Sequence, residues 1–129
     1  MKKTLVILSI AVVIIMLFAN TKVTAQVLCV EKWNMLPDKM EAYAKWTESA
    51  IRRTTTVPGV IEFRGYRPAT GTHQVVVTYE FANLAAWAAW YTNEEIQKTR
   101  NELRTLVSDL NLELWGPSPI VLKPIRPGK

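Results

Sequence analysis

Residues 60–81, VIEFRGYRPATGTHQVVVTYEF, restrict the fold more than any other stretch of the chain. Two runs rich in β-branched and aromatic residues, 60–67 and 73–81, flank PATGT, a turn-forming loop carrying Pro68 and Gly71. So short a connection forces an antiparallel hairpin, because a parallel return needs a crossover of about a dozen residues or more. Alternation then sorts the side chains by face. Ile61, Phe63 and Gly65 share one side of the first run, and Val75, Val77, Tyr79 and Phe81 share one side of the second. These apolar sets are expected to lie under helices, which leaves Glu62, Arg64, Tyr66, Thr78 and Glu80 on the opposite face.

The remaining elements fall into place around this hairpin. QVLCVEKW (26–33) reads as a strand, although its alternation of Cys29, Glu31 and Trp33 with Leu28, Val30 and Lys32 does not say which set faces the helices. LPDKMEAYAKWTESAIRRTT (36–55) reads as a helix with Pro37 at its first position. Met40, Tyr43, Ala44, Thr47, Ala50 and Ile51 are its expected buried stripe, and VPG (57–59) ends it. After the hairpin, Asn83 is a natural N-cap for a helix whose expected core stripe is Leu84, Trp87, Ala88 and Tyr91, with Trp90 toward the edge. Thr92-Asn93-Glu94-Glu95 fits a capping box, so a second helix is expected to start there and run to about Leu110. LELWG (112–116) is the candidate fourth strand, and the prolines beyond it suit an extended edge or arm. The order is β-α-β-β-α-β, an α+β ferredoxin-like motif with helices on one face of an antiparallel sheet.

The N-terminus has a different character. Met1-Lys2-Lys3 is followed by 18 uncharged residues, Thr4 to Thr21, and then by Val23-Thr24-Ala25. This basic, apolar, small-residue order is that of a secretory signal cleaved after Ala25, and it implies export to the periplasm or beyond. The alternative is an uncleaved membrane anchor, since the apolar run is just long enough to span a bilayer. The division is therefore signal 1–25, one domain over 26–121, and a Pro-rich tail over 122–129. Lys2, Lys3 and Lys22 leave with the signal, so the 16 basic residues fall to 13 against 11 acidic ones. The basic character of the whole chain belongs largely to the leader, and the scattered basic residues that remain do not form a nucleic-acid footprint. A single cysteine, Cys29, excludes an internal disulfide, and one histidine with one cysteine argues against a dedicated zinc site.

Candidate functional groups lie on the polar sheet face. Glu62, Arg64, Tyr66, Thr78 and Glu80, with Glu31 added from the first strand, read either as a solvated face with cross-strand ion pairs or as the lining of a cavity enclosed when two such faces meet. In the second reading Glu62, Arg64 and Glu80 are the catalytic candidates. A desolvated glutamate would serve as general base and Arg64 would stabilise a developing enolate or phenolate. His73 reads as a loop residue that could also act as a base, and Trp90 as a core residue that could also line a pocket entrance. Cys29 reads as a small buried filler, and Arg52-Arg53 as a solvated helix end.

The chain resembles the dimeric α/β-barrel superfamily, in particular its antibiotic-biosynthesis-monooxygenase-like members. The resemblance covers about residues 27–121. It rests on the element order and on Trp46-Thr47-Glu48, PGVIEFRGYR, VVVTYEF, AAWAAWYTNEEIQ and the late ELW. It implies a homodimer whose two sheets form a barrel, a small aromatic or polyketide-like ligand, and no cofactor. The activities it suggests are cofactor-independent oxygenation, cyclisation or isomerisation. In the haem-degrading branch a tryptophan in this helix is followed ten residues later by a haem-ligating histidine. Trp90 matches the first position, but Arg100 stands at the second, and a guanidinium has no lone pair to offer iron. A non-catalytic ligand-binding or envelope interaction module on the same fold is the rival reading, because fold alone does not assign chemistry.

Overall fold

The computed structural model describes residues 27–117 and 125–128. The expected leader and half of the Pro-rich tail, 122–124 and 129, lie outside them. Among the described residues no helix is long and apolar enough to cross a membrane.

The chain forms β1 (Val27–Met35), a 3-10 turn (Pro37–Lys39), α1 (Met40–Thr56), β2 (Glu62–Tyr66), β3 (Val75–Phe81), α2 (Leu84–Tyr91), α3 (Glu94–Arg104) and β4 (Val107–Trp115). The four strands make one antiparallel sheet in the order β2-β3-β1-β4, as the ferredoxin-like reading requires. The hairpin pairs as its short loop dictates, with Phe63 opposite Tyr79 and Gly65 opposite Val77.

The register assigns the faces that alternation alone left open on β1. Cys29 pairs with Tyr79, Glu31 with Val77 and Trp33 with Val75, so these β1 residues share the helix-covered side with the apolar set of β3. Phe81 and Trp90 are packed at 5.2 Å between ring centroids and Tyr79 and Trp90 at 4.9 Å, with Ile96 and Leu103 of α3 closing the core. Aromatic pairs of this kind contribute about 0.5–1.5 kcal/mol each beyond their buried area.

Three expectations are corrected. First, Pro37 opens a 3-10 turn, and the α-helix proper begins at Met40. Second, α3 ends at Arg104, so Val107 and Leu110 belong to β4. Their spacing imitates a helical stripe, yet residues 109–114 also alternate polar and apolar, and pairing with β1 decides in favour of the strand. An extra residue near Asp109, whose φ is 55°, shifts the β1–β4 register between Lys32 and Asn34. That bulge puts Leu110, Leu112 and Leu114 on the same side as Val107; without it an odd spacing would turn them outward. Third, the stripe of α2 is rotated. Trp90 is 1% exposed and Leu84 is 58% exposed, the reverse of the expected order.

The starts of α2 and α3 are each capped by asparagine. The Asn83 carboxamide oxygen accepts from the Ala86 N–H, as expected, and Asn93 rather than Thr92 caps α3 by accepting from the Glu95 N–H. Gly59, at φ 121°, turns the chain from α1 into β2, and a Cβ there would sit 3.4 Å from the Ala86 carbonyl oxygen. This is a position where glycine's freedom at positive φ matters.

Candidate functional site

A cavity of about 890 Å³ lies among the described residues, between α1 and the helix-covered side of the sheet. Its helical wall comes from Met40, Tyr43, Trp46, Thr47, Ala50 and Ile51, which is nearly the stripe read from the sequence, with Thr54 at the far end. Those residues do not pack into a closed core: Met40 stays 48% and Ile51 44% exposed, because the space they face is open. The sheet supplies Trp33, Phe63, Val75, Val77 and Tyr79, and the hairpin loop brings Arg67, Pro68, His73 and Gln74 to the rim. The volume falls within the usual range for small-molecule sites of about 300–1,000 Å³, and the lining is mostly aromatic and aliphatic, as such sites usually are.

Few polar groups reach this space. The Trp33 indole N–H donates to the Tyr43 hydroxyl oxygen at 3.1 Å. The Thr54 hydroxyl is turned back onto its own helix, donating to the Ala50 carbonyl at 2.9 Å. Burial pushes the Tyr79 phenol up to about 12, with the neighbouring Thr54 hydroxyl pulling the other way. Tyr79 therefore stays neutral at physiological pH.

Behind this cavity lies a second polar centre that the sequence did not reveal as a pair. Glu31 on β1 and Arg100 on α3 form a buried ion pair, both side chains being less than a tenth exposed. It borders a void of about 20 Å³ lined also by Trp33, Trp46, Tyr79, Trp90, Thr99 and Leu103, room for about one water. The Arg100 Nε finds no partner there, while the guanidinium stacks over Tyr91 at 5.0 Å. Burial, with Arg104 nearby, pulls the Arg100 pKa down from its ordinary value, but a guanidinium remains charged across the physiological range. The two residues are 69 positions apart, so only strand and helix packing brings them together.

The expected site residues divide between the two sides of the sheet. Glu62, Arg64, Thr78 and Glu80 lie on the face away from the helices, across the sheet from the cavity. Arg64 is ion-paired to Glu62, and Glu80 stands opposite Glu62 in register. Tyr66 belongs to that face but sits at the sheet edge, where it also borders the cavity rim with His73. Glu31 is corrected: it lies under the helices, not on the open face. Trp90 is the core residue expected of it, though buried at the centre of the helix's covered side and not at its edge. Its indole N–H donates to the Thr54 carbonyl at 2.9 Å, and it borders only the small void. Cys29 is the buried filler expected of it, and burial pushes its thiol up to about 11 while the Trp87 indole and the Arg100 charge pull it down. Arg53 is not a free helix end. It clamps α1 to α3 through Glu102 at 2.7 Å.

Sequence reasoning missed the cavity wall formed by Trp33, Tyr43 and Trp46. The signal available was the excess of aromatic residues on β1 and α1, facing each other across a helix–strand pair.

An antiparallel sheet with helices on one side and a roomy apolar cavity beneath the first of them defines a ferredoxin-like α+β domain. The chain matches the antibiotic biosynthesis monooxygenase family over residues 26–102, and it belongs to that family. No curated protein matches it. Solved structures share the fold. A DABB family protein with a ferredoxin-like fold from Mesorhizobium loti is 13% identical with a TM-score of 0.65, covering 74% of this chain and 99% of its own. Rv0793 from Mycobacterium tuberculosis is 16% identical with a TM-score of 0.61, covering 73% and 96%. A mutant form of SnoaB, a cofactor-independent oxygenase from Streptomyces nogalater, is 13% identical with a TM-score of 0.59, covering 71% and 92%. At these identities the likeness establishes the fold alone.

Proposed function

We propose that the chain binds a flat, mostly apolar small molecule in the cavity between α1 and the sheet, and oxygenates it without a resident cofactor. The carrying observation is the cavity itself: about 890 Å³, walled by Trp33, Tyr43, Phe63 and Tyr79, and open at a rim carrying His73 and Arg67. Membership of the monooxygenase family supports the oxygenation, as does the shared fold with a cofactor-independent oxygenase. The leader-like segment 1–25 supports an exported protein acting outside the cytoplasm.

The test is a binding titration followed by tryptophan fluorescence, combined with oxygen uptake. A flat tricyclic probe should quench the wild-type protein saturably. Ile51→Trp, which fills the cavity from its half-exposed side, should weaken binding by about tenfold or more while leaving the unfolding temperature nearly unchanged. Equal binding by both proteins would place the ligand elsewhere.

A second reading places acid–base chemistry on the open sheet face, in a space enclosed when two copies pair. The observation favouring it is that this face carries exposed aromatics at both edges, Tyr66 near the Glu62–Arg64 pair and Trp115 beside Lys32 and Glu113, an arrangement suited to a partner surface. Under that reading Glu62→Gln and Arg64→Met abolish turnover. Oxygen uptake that survives both changes removes these residues, with Glu80, from the chemistry and leaves the helix-side cavity as the site.

A further inference from the structure

In the cavity wall one hydrogen bond joins two side chains, the Trp33 indole and the Tyr43 hydroxyl. An indole N–H is a donor only, so in the Trp33–Tyr43 bond the Tyr43 oxygen must be the acceptor. The hydroxyl proton of Tyr43 is then left to be given to something else. Among the described residues the Tyr43 hydroxyl makes no hydrogen bond besides the one it accepts from Trp33. The Thr54 hydroxyl, on the same cavity lining, donates to the Ala50 carbonyl and makes no bond with Tyr43. Trp33 is 4% exposed and locked in the core, so it cannot swing away to free the other arrangement. Accepting one hydrogen bond also polarises the phenol and strengthens the bond it donates.

We propose that Trp33 is a positioning residue that fixes the Tyr43 hydroxyl as a hydrogen-bond donor into the cavity, so that the site selects flat apolar molecules bearing a ring carbonyl over the matching hydrocarbons. This rests on the cavity being the ligand site. The selectivity comes from polarity: a ligand oxygen that can only accept meets a wall hydroxyl whose proton is unused. A hydrocarbon of the same shape leaves that proton without a partner in a largely apolar space.

The probes are 9-fluorenone and fluorene, which share a flat tricyclic frame and differ in one carbonyl. Each is titrated into the full chain by fluorescence quenching, and the carbonyl stretch of bound fluorenone is recorded by infrared difference spectroscopy. Wild-type protein should bind fluorenone about tenfold more tightly than fluorene, the worth of about one good hydrogen bond, with the carbonyl band shifted to lower frequency. Tyr43→Phe should bring the two affinities together by weakening fluorenone alone, and should move the band back up. Trp33→Phe, which keeps Tyr43 but removes the orienting N–H, should leave a smaller preference and a smaller band shift.

If both probes bind the wild type equally and the band is unshifted, the donor assignment fails while the cavity reading survives. If neither probe binds, the cavity reading fails and this inference with it. A full preference retained in Trp33→Phe would overturn the positioning role of Trp33. Should Trp33→Phe not fold, the affinity ratio and the band position in Tyr43→Phe still decide whether Tyr43 is the donor.

Discussion

At the scale of single residues, the buried Glu31–Arg100 pair is the most demanding feature of the core. Two charges removed from water are tolerated because each compensates the other, and losing either one strands its partner. Arg100→Met alone is expected to lower stability by about 3–5 kcal/mol in urea unfolding. The double change Glu31→Leu with Arg100→Met should recover most of that loss, and a simple doubling of the loss would show that the two do not act as a pair. The buried thiol and phenol give a second prediction. Cys29 is raised from 9.0 to about 11 and Tyr79 from 10.0 to about 12, both chiefly by burial. The unfolded chain therefore releases these protons at lower pH than the folded one. The stability they contribute is fully present below about pH 9 and is lost as pH rises through 11 and 12. Urea midpoints measured between pH 8 and 12 should fall steadily over that window, and the native protein should resist thiol reagents at pH 8. A flat profile would show that neither group is held out of water.

At the scale of elements, the caps and turns were legible because their chemistry is local. Asn83→Ala is expected to cost about 1 kcal/mol, since the Ala86 N–H loses its acceptor, and Asn93→Ala a similar amount. Gly59→Ala should cost about 1–2 kcal/mol for its left-handed backbone. The bulge in β4 behaves differently, because its role is register. Asp109→Gly should be tolerated, as glycine adopts φ 55° without strain. Deleting Asp109 should instead turn Leu110, Leu112 and Leu114 to the wrong side and abolish cooperative unfolding, measured by thermal denaturation. The α3–β4 boundary was misread for a related reason. Leu103, Leu106, Val107 and Leu110 satisfy a helical period, while Leu110, Leu112 and Leu114 satisfy a strand period, and the two patterns overlap in sequence. Hydrogen bonding to β1, absent from any local window, breaks the tie.

At the scale of the whole molecule, the helices cover one side of the sheet and leave the other open, and the cavity and the open face thus lie on opposite sides. If the proposed export and pairing hold, native mass spectrometry of protein recovered from outside the cytoplasm gives two chains carrying a small molecule, with a mature species beginning at Gln26. A monomer carrying the small molecule would keep the helix-side cavity and remove the site between two sheet faces. A bare dimer would do the reverse.

Alternation in 60–81 and the short PATGT loop determined the hairpin, and with it the ferredoxin-like order, because strand pairing across so short a loop has one solution. The same alternation placed Glu62, Arg64, Tyr66, Thr78 and Glu80 away from the helices correctly, since a period of two needs no knowledge of the partner. It did not place Glu31, which sits among apolar neighbours and is made tolerable there only by Arg100, 69 residues later. Nor could it reveal the cavity, whose walls come from β1, α1 and the hairpin. Whether a helical stripe packs tightly on a sheet or stands off from it depends on how the large side chains Trp33, Tyr43 and Tyr79 fit against each other across the gap. That fit is decided in three dimensions, where volume and hydrogen-bond direction are settled together.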